Sequence, residues 1–391
     1  LPGTPVRVLA ATLAQLDGAM SLPVLRPKDA LPGRGSIEVA LKSTLGAANT
    51  GVYDWMEAYP YMCLEQQLSR ALATGNLPRW EKVQSVMGAY LDNNGLAAYF
   101  RNPRPNSGSP VLTAYILTAA QLSGYPLPGE VREPMLQGLQ RYIEGRIAFD
   151  EREWSPREDR PIRKLKVLEA LARYQRATPQ LLSTVSITPG VWPVGGVVSW
   201  LAILQLMPDL PDRAVLLAEA EAQIRARLVR SGTLTQFVRE RDDYWWWLMD
   251  SPDGTAARTI VTLMEMPGWR AEIPRLVRGV LARQQAGHWD TTTANAWGVI
   301  MMERFRQQFE AQKVAGLTEV SVAPGGATAL VAGAAVRQKF DWASLPAQAV
   351  LQEAAQAAGR QAVPPAGSAW RDAGSRLSFA WPASTLAGES R

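Results

Sequence analysis

The chain has one cysteine, one histidine and only seven phenylalanines in 391 residues, and no long uncharged apolar run. Each scarcity removes a class of function. A single thiol cannot close an internal disulfide, and Cys63 with His288 supplies too few soft ligands for zinc, so neither metal nor cofactor is expected. No segment approaches the roughly 20 apolar residues that span a bilayer, which argues against direct membrane insertion. The opening "LPGTPVRVLA" lacks a methionine, a basic n-region and an apolar h-region, and reads as the start of a piece of a longer protein. Lys and Arg number 41 against 36 Asp and Glu, a net +5, with no basic block interleaved with aromatics. Nucleic acid is therefore not an expected partner.

What is present is an ordinary globular composition, 47% hydrophobic and 20% charged, with fourteen tryptophans. The length exceeds a usual single core, so several units or one large helical assembly are expected. Three zones separate by texture. Residues 1–46 are punctuated by Pro and Gly and end in a strand-like alternation, Ile37, Val39 and Leu41 against Glu38, Ala40 and Lys42. The earlier "VRVLAATLAQL" reads equally as strand or short helix. Residues 47–315 carry helical periodicity, in "YMCLEQQLSRALATG", "RWEKVQSVMGAYLDNNG" closed by Gly95, "SPVLTAYILTAAQLSG" closed by Gly124, "IRKLKVLEALARYQRA", "GGVVSWLAILQLM", "RAVLLAEAEAQIRARLVRSG", "GTAARTIVTLMEM" and "TTTANAWGVIMMERFRQQFEAQ". Some of these are apolar almost all round and others are charged on one face, which predicts inner helices alternating with half-exposed outer ones. Inner landmarks recur roughly every 46 residues, a fitting length for a helix pair with its loops. About six such hairpins would close an α/α toroid; the same pattern permits an open solenoid. Residues 316–391 turn β-like again, with "LPAQAVLQEAAQAAGRQ" reading as a short helix. Strand-like ends around a helical block predict a small β-sandwich interrupted by a helical insertion.

The lone thiol stands in "YPYMCLEQQLSR", residues 59–70. On a helical turn residues three apart share a face, so Cys63 and Gln66 are predicted to meet. A thiolate held against a carboxamide can displace ammonia and leave an internal thioester, a step that alignment accelerates strongly. The acyl group can later pass to an amine, a hydroxyl or water. Such a bond needs a water-excluding cover, part of which Tyr59, Tyr61 and Met62 are placed to provide.

The string Tyr59-Pro60-Tyr61-Met62-Cys63-Leu64-Glu65-Gln66 resembles the thioester motif of the alpha-2-macroglobulin and complement thioester family, its bacterial members in particular. That resemblance implies an α/α toroid inserted into a CUB-like β-sandwich, a Cys63–Gln66 thioester, and a single-use protease inhibitor rather than an enzyme. It further implies attacking proteases, trapped through lysine amines, as partners, other domains of the full-length protein as cover, and a periplasmic or lipid-anchored envelope location. No bait segment is recognisable. In some complement members a histidine downstream of the cysteine redirects the acyl group to hydroxyls; His288 does not match that placement, and reaction with amines is expected. A closed ring would nonetheless bring its hairpin beside the first.

Other readings compete. Cys63 is also a small buried hydrophobe by residue type, or a nucleophile paired with His288. Glu65 points elsewhere on the helix and reads as a capping or packing carboxylate. The acids of "RDDYWWWLMDSPDG", Asp242, Asp243, Asp250 and Asp253, suggest a toroid glycosidase or a terpenoid-cyclase-like enzyme. A binding module with an unformed thioester is the third alternative.

Overall fold

The computed structural model describes residues 20–24, 36–42, 50–147, 159–231, 234–238, 245–311, 317–323, 328–332, 335–341, 350–356 and 375–379. The fold is mainly helical, and the chain divides into two compact units. The helical unit includes Ala48–Phe305, whereas the β unit joins Ala14–Ala47 to Arg306–Arg391.

In the helical unit, α1 (Thr50–Ala58) leads to α2 (Leu64–Ala73) and α3 (Leu77–Val86), then α4 (Pro110–Ser123) and α5 (Gly129–Ile143). There follow α6 (Arg160–Arg173), the single turn α7 (Pro179–Leu182), α8 (Val194–Leu206) and α9 (Arg213–Arg225). The last three are α10 (Pro252–Leu263), α11 (Ile273–Leu281) and α12 (Thr292–Phe309). Local chemistry sets many of the boundaries. Ser109 and Ser251 cap α4 and α10: Ser109 Oγ accepts the Leu112 N–H and Ser251 Oγ the Gly254 N–H, each at 3.1 Å. Gly124 ends α4 in the left-handed conformation, φ 75°.

Burial separates two kinds of helix. Val194–Leu204 of α8 is buried throughout, and α4, α10 and the first turns of α12 are nearly so, whereas α9 buries only Ala220 and Ile224. Inner helices pack in sequence, α2 on α4, α4 on α6, α6 on α8 and α8 on α10. From α12, Trp297 meets Tyr115 of α4 edge-on at 5.8 Å, and Thr292 hydrogen-bonds Glu65 of α2 at 2.8 Å.

Several expected elements differ. Cys63 precedes α2 as its N-cap, with extended backbone, instead of lying inside the first turn. The helix expected to end at Gly95 is α3, which stops at Val86 and gives way to a 3₁₀ turn at Met87–Tyr90; Gly95 lies beyond, in a loop at φ 77°. The tail of the segment that starts α9 is a strand, β3 (Leu228–Ser231), which forms a hairpin with β4 (Leu234–Phe237) against α11. There β-branched Val229 and antiparallel pairing with β4 override helical patterning. Helices α1 (Thr50–Ala58), α5 (Gly129–Ile143) and α11 (Ile273–Leu281) are not among the expected helices, although α11 is strongly amphipathic.

The β unit contains β1 (Met20–Val24), β2 (Ser36–Lys42), β5 (Leu317–Ala323), β6 (Thr328–Ala332), β7 (Ala335–Asp341), β8 (Val350–Gln356) and β9 (Ser375–Phe379). Strand β2 pairs with β7 antiparallel over seven residues, Ser36 opposite Asp341 through Lys42 opposite Ala335. A five-stranded sheet runs in the order β1-β8-β9-β5-β6. Both pairings join segments from opposite ends of the chain. The expected short helix around 350 is instead β8, where pairing with β5 overrides a run of alanines. The stretch "VRVLAATLAQL" lies outside the described residues.

One packing contact orients the first helix. A Cβ on Gly51 of α1 would stand 2.7 Å from the carbonyl oxygen of Gly287, so the two backbones touch. Gly51→Ala is expected to cost about 1–3 kcal/mol through overpacking against unyielding backbone. Denaturant unfolding checks it; a loss under about 0.5 kcal/mol would contradict the contact.

Candidate functional site

Helix α2 begins with four N–H groups that have no partner inside the helix. Cys63 and Gln66 supply a reciprocal cap. Gln66 Oε1 accepts the Cys63 backbone N–H at 2.9 Å, while the Cys63 side chain receives the Gln66 backbone N–H. Sulfur and carboxamide are thus both turned to the same helix end, brought there by a capping box rather than by a shared helical face. Burial pushes the Cys63 thiol up, opposed by the Gln66 N–H and reinforced by Glu65.

The turn is fastened from outside. Gln67 Nε2 donates to the Met62 carbonyl at 2.7 Å and to the Tyr90 hydroxyl at 3.1 Å, and Arg70 holds the Tyr59 carbonyl. The Leu64 N–H donates to the Tyr99 carbonyl at 2.9 Å. Tyr99 carried no signal in the sequence, because only the fold brings it to the residue after the cysteine.

The expected cover is partly in place. Tyr59 is half-buried between Trp55 and Tyr61, ring centres at 4.9 and 5.6 Å. Tyr61 and Met62 are 65% and 56% exposed, and Phe100, the residue after Tyr99, is 73% exposed. His288 stacks on Trp55 at 4.6 Å, Nδ1 2.8 Å from the Trp289 carbonyl oxygen, so it joins the aromatic row that reaches Tyr59. The Gly51–Gly287 contact puts it there.

Glu65 is not the cap, since Gln66 fills that role. Its carboxyl is 8% exposed and accepts Ser69 Oγ at 2.7 Å and Thr292 Oγ1 at 2.8 Å. Burial pushes its pKa up, against those two hydrogen bonds.

The acidic loop separates into structural ion pairs. Asp242 and Asp243 lie outside the described residues. Asp250 takes Lys166 Nζ at 2.6 Å, and Asp253 takes Arg283 Nε at 2.6 Å. Glu169 is shared by Arg173, at 2.9 Å, and Arg258, which also donates to Ser199 at 2.6 Å. Burial pulls the Lys166 ammonium down against Asp250; at Glu169 burial pushes up but the two guanidiniums hold the carboxyl low. A small cavity of about 30 Å³ lies among Lys166, Glu169, Asp250 and Arg258, with Tyr115, Thr118 and Trp297 on its wall. Trp245 and Trp247 stack at 5.7 Å, and Trp247 Nε1 donates to Asp159 at 2.8 Å, a packing arrangement. Among the described residues no three His, Cys, Asp or Glu gather as metal ligands, and no helix is long and apolar enough to cross a membrane.

No protein-family model matches the sequence, and no curated protein matches it. Solved structures do. Native alpha-2-macroglobulin of E. coli superposes with a TM-score of 0.52 at 16% identity, over 90% of this chain and 24% of that one. The chain shares its fold with bacterial alpha-2-macroglobulins. An E. coli alpha-2-macroglobulin fragment from domain MG7 to the C-terminus gives 0.51 at 16% identity, over 86% of this chain and 56% of the fragment. The Y1175G mutant of Salmonella alpha-2-macroglobulin gives 0.50 at 17%, over 90% and 25%. This chain therefore spans about a quarter of two alpha-2-macroglobulin structures and just over half of the third.

Two measurements test the site's electrostatics. Asp250→Ala strands the Lys166 ammonium and is expected to cost about 3–5 kcal/mol in denaturant unfolding, with much of it recovered in Lys166→Met/Asp250→Leu; a double variant as unstable as the single one contradicts the pairing. For Glu65 the folded pKa lies above its ordinary value of 4.5, so the folded chain holds an extra proton in the window above 4.5 and stability falls as pH rises through it. Glu65→Gln has no such charge. Its stability relative to the parent chain is expected to grow as pH rises from 4.5, and parallel pH curves would contradict this.

Proposed function

We propose that this chain is the thioester-bearing part of an alpha-2-macroglobulin-like protease inhibitor of the bacterial envelope. The observation that carries the reading is the reciprocal cap of Cys63 and Gln66 at the start of α2, within a fold shared with alpha-2-macroglobulins. We read the inner and outer helices as an α/α toroid, with the Glu65–Thr292 hydrogen bond as its closing seam, and the sheets as a CUB-like sandwich into which it is inserted.

The chemistry follows from the cap. The Cys63 thiol adds to the Gln66 side-chain carbon, and negative charge develops on Oε1. That oxygen already accepts the Cys63 N–H, a donor aimed where the charge appears and backed by the helix N-terminus. The C–N bond breaks, Nε2 leaves as ammonia carrying the thiol proton, and a Cys63–Gln66 thioester remains. Later a lysine amine of an attacking protease adds to the same carbon. The thiol is released with a proton, and an amide links Gln66 to the attacker. Tyr59, Tyr61 and Met62 form part of the cover, completed by other domains of the full-length protein. The reaction happens once per molecule, so the role is inhibition and not turnover.

The rival enzyme reading has less behind it, because Asp250 and Asp253 are neutralised by Lys166 and Arg283. Intact mass tests the proposal. The native protein is expected about 17 Da light for the lost ammonia, and methylamine should add its own mass and free one thiol. Full mass, with a thiol that titrates before any methylamine, would refute the thioester.

A further inference from the structure

Glu65 sits between the two reacting residues in sequence, yet its carboxyl faces away from them into the helical unit. A single oxygen, Oε1, accepts the hydroxyls of Ser69 at 2.7 Å and Thr292 at 2.8 Å. Thr292 opens α12 and is separated from Glu65 by 227 positions. Ser69 in turn lies 2.7 Å from the Tyr115 hydroxyl of α4. One carboxyl oxygen therefore ties three inner helices together beside the turn that Cys63 caps.

We infer that Glu65 is the positioning residue for Cys63 and Gln66: its carboxyl pins the N-terminal turn of α2 to α12 and α4, and that fixes the frame in which sulfur and carboxamide meet. The chemical consequence rests on the thioester reading; the pin does not. Two physical points argue for it. Helix α2 has only ten residues and opens on a sulfur acceptor, so its first turn is the part that frays, and fraying separates Cys63 from Gln66. A carboxyl buried at 8% exposure is costly where an apolar side chain would pack freely, and it is retained here only with two aligned donors from different helices.

Glu65 on its own helix is the group whose charge reaches Cys63, while the phenols of Tyr59, on the preceding segment, and Tyr99, on the loop before α4, feel the thiolate in turn. Of these, Glu65 alone also bonds to α12.

The test compares Thr292→Val, Thr292→Ser and Glu65→Gln with the parent chain. Two readouts are taken: methylamine uptake by intact mass, and the pH profile of Cys63 alkylation by iodoacetamide after methylamine treatment, when the thiol is free whether or not a thioester had formed. Thr292→Val keeps the volume and removes the donor. It is expected to lower the methylamine-reactive fraction or rate about tenfold or more while the far-ultraviolet dichroism is unchanged. Thr292→Ser and Glu65→Gln, which keep the donor and the acceptor oxygen, should stay within about twofold. The alkylation profile should shift in Thr292→Val and in Glu65→Gln. Thr292→Val identical to the parent in both readouts overturns the inference, and so does a loss that merely tracks lost helical signal or that Thr292→Ser fails to rescue. If the parent chain itself takes up no methylamine, the thioester reading fails, and the alkylation profile of Thr292→Val, which leaves the Glu65 carboxyl in place, alone decides the pin: a shifted profile that Thr292→Ser restores upholds it, and an unchanged profile overturns it.

Discussion

The capping of α2 is the interaction on which the rest depends. A helix start needs acceptors, and a hydroxyl or carboxylate would supply a better one than sulfur. Cys63 is a weak cap with strong chemistry. Its partner, Gln66, completes the box through Oε1, and the N–H that it accepts is the one a developing oxyanion would need. On the thioester reading, stability and reactivity draw on the same two hydrogen bonds. On that reading a hydroxyl at position 63 would hold the turn better and leave it without the nucleophile.

The interior of the helical unit is unusually charged. Lys166, Asp250, Glu169, Arg173 and Arg258 are buried along α6, α10 and the loop between α9 and α10, each with an opposite partner. Exposed ion pairs contribute little, but removing one partner of a buried pair leaves a charge without water or counter-charge. These groups therefore hold inner helices in register more than they strengthen them. The same pairing accounts for the loop acids that, read as letters, look like an acid and a base.

What the sequence made legible, and what it hid, divides by the range of the interaction. Cys63 and Gln66 are three residues apart, so their meeting could be read directly, although the capping geometry that achieves it could not. Gly124 closes α4 as its local conformation demands. Glu65 could be read as a capping or packing carboxylate but no further, because its partner is Thr292, 227 positions away. The stack of His288 on Trp55 depends on Gly51 meeting Gly287, another contact between distant segments. Strands β3 and β8 were missed for a related reason: alanine-rich or charged segments read as helix until a partner strand competes for their backbone.

The exposure of the aromatic row bears on how such a site survives. A thioester persists only where water is kept from its carbonyl carbon. Tyr59 is held by Trp55, and through Trp55 by His288, whereas Tyr61, Met62 and Phe100 present apolar surface outward. On the proposed reading those side chains are one half of a seal whose other half belongs to another domain. A seal made of two bodies can be broken by moving them apart, without any change in the helical frame that holds Cys63 and Gln66. Reactivity would then be set by the frame and its release by the seal, so a rigid α2 pinned through Glu65 and an exposed aromatic rim are complementary requirements of a bond that must wait and then react once.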